Sequence, residues 1–77
     1  MRDARRLDPV ERLIDAWLHW CDCPTSRPAV VEIHDAIAAL GLPANTVYER
    51  VGAARRAGYD VPSAVQRVVQ DLRQEAV

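Results

Sequence analysis

Gly41-Leu42-Pro43-Ala44-Asn45-Thr46-Val47-Tyr48-Glu49-Arg50 is the stretch whose reading settles the fold. Upstream of it, Val30, Ile33, Ile37 and Leu40 recur at helical spacing with Ala36 beside them, which predicts a helix over residues 28–40. Gly41 then supplies the left-handed residue with which many helices stop. Leu42 and Pro43 leave room only for a short turn. Beyond it Ala44, Val47, Val51 and Ala54 share a face, predicting a second helix over 44–57. Asn45, Glu49 and Arg56 lie on the opposite, outer face, and Thr46, Arg50 and Ala53 border that outer face. Gly52 breaks the pattern in mid-helix, a position acceptable where a backbone or a ligand comes close.

Working outward, the N-terminal side opens a helix clearly. Asp8 can cap, Pro9 suits the first helical position, and Glu11 stands where a capping box places its acid. Val10, Leu13, Ile14, Trp17, Leu18 and Cys21 follow on one face, with Glu11, Arg12, Asp15, His19 and Asp22 on the other. Cys23-Pro24-Thr25-Ser26-Arg27-Pro28 reads as a loop, with Ser26 as the cap of the next helix. On the C-terminal side Gly58 ends the third helix. Asp60 or Ser63 caps a fourth, over 62–75, that buries Val65, Val68, Val69 and Leu72. No stretch alternates apolar and polar residues as a half-buried strand does. The expectation is an all-α fold of four short helices forming one domain over 1–77. Residues 1–7, with Arg2, Arg5 and Arg6 against Asp3, form a flexible arm.

Composition narrows the function classes. The 77 residues suffice for one small core, and that core is aliphatic: there is no Phe, and only two Trp and two Tyr. No apolar run approaches the length of a membrane span, and no signal-peptide segment follows the charged start. A cytoplasmic protein is expected, with no membrane partner. The net charge of −1 excludes a general polyanion-binding surface, so any nucleic-acid face must come from local clustering. Such clustering exists. The third helix carries Arg50, Arg55 and Arg56 against Glu49, whereas the second carries Glu32 and Asp35 and no arginine over 28–40.

Gly41, Leu42, Thr46, Val47 and Tyr48 fall in the register of a helix-turn-helix, and the stretch 30–58 resembles that DNA-binding family. One position departs: the family places alanine four residues before the turn glycine, where its helices cross closely, and here Ile37 stands there between Ala36 and Ala38. The resemblance implies that the third helix is the recognition helix. Asn45, Thr46, Glu49 and Arg50 would then approach base edges, and Arg55 and Arg56 phosphates. The register from Gly41 through Gly58-Tyr59 into a Val- and Gln-rich last helix is also similar to small phage repressors of the type found in anti-CRISPR operons. That likeness implies a transcriptional repressor that binds double-stranded DNA as a homodimer. Helix 1 with Trp17 and Trp20, or the last helix, would supply the dimer surface.

Other constellations carry less. His19, Cys21, Cys23 and His34 are zinc-type ligands, but a single residue between the cysteines makes tetrahedral geometry awkward. Cys21 as a small buried hydrophobe and Cys23 as a loop thiol is the expectation, with no cofactor. No phosphate-binding glycine loop and no nucleophile–base motif is present, so neither an enzyme nor a small-molecule substrate is expected. The competing class is a protein-interaction module of phage type that docks on a host protein through its helices, with Trp17 and Trp20 as hot spots.

Overall fold

The computed structural model describes residues 8–75, and among them there are four helices and no strand. They are α1 (Pro9–Asp22), α2 (Arg27–Leu40), α3 (Ala44–Arg56) and α4 (Val61–Glu75). The protein is all-α, as its apolar spacing requires. The basic arm expected over 1–7 lies outside the described residues.

Local chemistry accounts for most of the boundaries. The Asp8 carboxylate accepts the Val10 N–H at 2.8 Å, and the Ser26 hydroxyl accepts the Ala29 N–H at 3.3 Å. Of the two candidate caps for α4 it is Asp60 that acts, accepting the Ser63 N–H at 2.9 Å. That bond, with a further one from the Ser63 side chain, holds the Asp60 carboxyl below its ordinary range. α2 and α4 each begin one residue before their proline, at Arg27 and Val61. The first turn tolerates this because its N–H groups have no intrahelical acceptor to lose.

Both glycine stops are realised. Gly41 takes φ 72°, its N–H bonds to Ala38 O at 3.0 Å, and the Leu42 N–H reaches back to Ile37 O at 3.3 Å. This is the paired closure of a Schellman motif, with half-buried Leu42 packed against the core. Gly58 repeats it at φ 110°, with the Tyr59 N–H on Ala54 O at 3.1 Å. α3 begins differently. Pro43 precedes it, and no side chain caps its first turn.

Leu13, Ile33, Ile37, Val47, Val51 and Val65 are the largest fully buried side chains, drawn from all four helices. α1 and α2 form the most extensive pairing. Ala16, Ala29 and Ala36 are all buried, and such small side chains allow close approach. That approach corrects the reading of α1. Its buried stripe centres on Leu13, Ala16 and Trp17, so Leu18 is 42% exposed and Cys21 is exposed rather than buried in the core. α4 meets the expectation of its pattern: Val65, Val68, Val69 and Leu72 are all buried, joined by Val61 and Ala64.

No Cα of α1 lies within 8 Å of a Cα of α3. Side chains alone span the interval between those two helices.

Candidate nucleic-acid interface

Val47 and Val51, both wholly buried, fix the rotation of α3 about its axis. The helical period then assigns every other residue. Asn45, Glu49 and Arg56 are exposed on the outward stripe, in line with half-buried Gly52. An added Cβ on Gly52 would meet only the tip of Arg56, Nη1 at 3.5 Å, and no neighbouring backbone. Packing therefore does not explain a residue that costs about 1 kcal/mol against alanine in a helix interior.

One flank of α3 turns toward α4. Thr46 and Arg50 are half-buried there, and the Arg50 guanidinium forks onto Glu75 at the end of α4, with Nη2 on Oε1 at 3.1 Å and Nη1 on Oε2. This hydrogen-bonded pair holds Glu75 below and Arg50 above their ordinary pKa ranges. Arg50 is thus engaged in an intramolecular pair at the surface, its side chain 41% exposed.

The other flank faces α1. Here Trp17, Trp20 and Tyr48 meet across the interhelical gap. Trp17 and Tyr48 lie at 5.2 Å between ring centroids, Trp17 and Trp20 at 5.7 Å edge-on, and Trp20 and Tyr48 at 6.0 Å edge-on. Such tilted and edge contacts suit the ring quadrupoles. His34 adds an edge at 5.5 Å from Tyr48, and burial raises the Tyr48 phenol above its ordinary pKa. Trp20 is pinned by its indole N–H, which donates to Pro24 O at 3.2 Å. Arg55, exposed, donates Nη1–H to Cys21 Sγ at 3.2 Å.

Of the six residues singled out from the sequence, Asn45, Glu49, Arg55 and Arg56 are exposed, and Thr46 and Arg50 are half-buried. Of the two acids of α2, Glu32 is directed to α1, where it pairs with Arg12 at 3.6 Å. The sequence reading did not foresee the Arg50–Glu75 fork, the Arg55–Cys21 contact or the convergence of Tyr48 on the two tryptophans. All three join residues of different helices, and periodicity within one helix carries no signal for them. Among the described residues no group of three His, Cys, Asp or Glu side chains is placed to share a metal ion. No described helix is long and apolar enough to cross a membrane.

No protein-family model matches the chain, and neither a curated protein nor a solved structure shows significant similarity to it.

Proposed function

We propose that the protein is a helix-turn-helix DNA-binding regulator, a repressor, with α3 as its recognition helix. The observation that carries the proposal is the outward stripe of α3. Asn45, Glu49 and Arg56 stand exposed in line on a helix seated by two fully buried valines. Asn and Arg are the side chains best suited to bidentate pairing with adenine and guanine edges. Thr46 sits beside Asn45, at the end of the helix that enters the groove first in this class. The uncapped first turn adds N–H groups that suit a phosphate oxygen. Arg55 and Arg56 supply positive charge in the last turn, while Arg50 acts through its brace to α4.

A homodimer belongs to the same proposal, because a single module of this size buries too little surface for tight specific binding. The surfaces expected for it from the sequence are largely taken by the core. Trp17 is 3% exposed and the valine seam of α4 is buried. Among the described residues, Leu18, Val31 and Tyr59 are the large apolar side chains that remain exposed for a shared surface. The protein-docking alternative is weakened by the same burial of Trp17, which leaves Trp20 without its partner as a hot spot.

The test is a binding titration of the full chain against fragmented promoter DNA at low and moderate salt, read by fluorescence anisotropy. Binding that weakens steeply as salt rises, and that favours one fragment, supports the proposal. Failure to bind any fragment at low salt overturns it.

A further inference from the structure

The three rings and the last turn of α3 enclose an open hollow of about 570 Å³ between α1 and α3, lined by Trp17, Trp20, Tyr48, Gly52, Arg55 and Arg56. We propose that this hollow binds a small planar anion, an aromatic ring bearing a carboxylate or phosphate, with the ring against the open parts of Trp20 and Tyr48 and the acid on the two guanidinium groups. The inference does not depend on whether α3 binds DNA.

Each part of the lining bears on the class of ligand. Three of the four Trp and Tyr side chains of the chain converge here, and Trp20 and Tyr48 keep part of their surface open. Aromatic faces favour a flat apolar group, and the hydrogen bond from Trp20 to Pro24 fixes the wall against which it would lie. Among the described residues, both charged groups of the lining are arginines and no carboxylate lines the hollow. A cationic ligand is therefore disfavoured, and a neutral ring gains nothing from the two guanidiniums. An acid group on the ring satisfies them with charge-assisted bonds.

Gly52 supplies an independent observation. No backbone approaches it, so the helix gains nothing in packing from the missing side chain. The missing side chain leaves the floor of the hollow bare, with the Arg56 guanidinium beside it, Nη1 3.5 Å from where a Cβ would stand. Size points the same way. The volume falls within the range of roughly 300–1,000 Å³ typical of small-molecule sites, whereas a stable protein partner needs about 800 Å² of surface on each side.

The experiment is a titration of the isotope-labelled full chain with phenyl phosphate and with benzoate, followed by the Trp20 indole N–H and the Gly52 amide resonances. Phenol and inorganic phosphate serve as the half-ligands. Saturable shifts with either aromatic anion, at least about tenfold tighter than with either half-ligand, are expected from one charge-assisted bond added to ring stacking. Whichever anion binds more tightly identifies the acid group. Gly52→Leu, which fills the floor while favouring the helix, is expected to abolish the shifts with helicity unchanged. Arg55→Gln combined with Arg56→Gln is expected to reduce affinity to that of phenol. Absence of saturation with both aromatic anions overturns the proposal. So does equal binding of inorganic phosphate, which would mean a generic anion on surface arginines, or undiminished binding by a folded Gly52→Leu variant.

Discussion

The two flanks of α3 carry the same kind of charge and use it in opposite ways. Toward α4, Arg50 meets Glu75, a residue twenty-five positions further along the chain, and the pair closes one helix against the other. Toward α1, Arg55 rests on a thiol and Arg56 on the open floor beside Gly52, and no carboxylate lines that side. A helix with three arginines and one glutamate looks uniformly basic when it is read alone. Folded, the α4 flank has its arginine paired with an acid, while no such pair is seen for Arg55 or Arg56 among the described residues. What decides an electrostatic surface is which acids the tertiary fold delivers to it, and the acid that matters here arrives from the end of the last helix.

This contrast requires α3 to be held at one rotation, and the largest expected effect comes from loosening that hold. Ile37 is 1% exposed and shares the core with Val47 and Val51. It belongs to a buried cluster drawn from all four helices. Ile37→Ala should cost about 2–5 kcal/mol in chemical denaturation, the usual range for emptying a closed core site. For a domain this small that is a substantial share of the total. A loss well below that range would mean that α3 can settle onto α2 with an alanine between them, in which case the present rotation of α3, and both flanks with it, is not unique.

Next in size is the separation of the arginines by function. On the proposed DNA reading, Arg55→Ala with Arg56→Ala should lower the salt dependence of binding by about two phosphate contacts. Affinity at moderate salt should fall on the order of tenfold or more, with helicity unchanged. Arg50→Ala should change DNA affinity far less, because its guanidinium already has a partner. Equal losses from the two changes would erase the distinction between the flanks.

How far the sequence alone reaches is visible in the same helix. Val47 and Val51 announce the inward face, and Asn45, Glu49 and Arg56 the outward one, because both follow from a fixed angle per residue. The glycine stops at Gly41 and Gly58 and the caps at Asp8 and Ser26 are equally legible, since each depends on neighbours only a few residues away. The errors lie where a second helix decides the matter. Cys21 and Leu18 have the spacing of core residues, yet the buried stripe of α1 runs through Leu13, Ala16 and Trp17 and leaves both exposed. Arg50 is no such error, but its own helix gives no signal that its guanidinium also meets Glu75. Tyr48 stands in the part of α3 that faces neither core nor solvent outright, and only the interval between α1 and α3 shows that it completes an aromatic cluster.

The smallest expected effect tests the braced flank directly by pH. Glu75 has its carboxyl held low by the Arg50 hydrogen bonds, so its folded value lies beneath its unfolded one. The sign follows: the pair's contribution to stability is complete above the ordinary glutamate range and is lost as pH falls through the lowered folded value. Both side chains are well exposed, which keeps the contribution small and open to screening by salt. A carbon-detected titration of the Glu75 carboxyl should therefore give a midpoint below that of an ordinary glutamate, moving back toward it in Arg50→Ala and at high salt. A midpoint indifferent to Arg50→Ala would mean that the fork does not persist in solution. Arg50 would then be free to join Arg55 and Arg56 as a third unpaired cation, and the two flanks of α3 would differ in their neighbours but no longer in their charge.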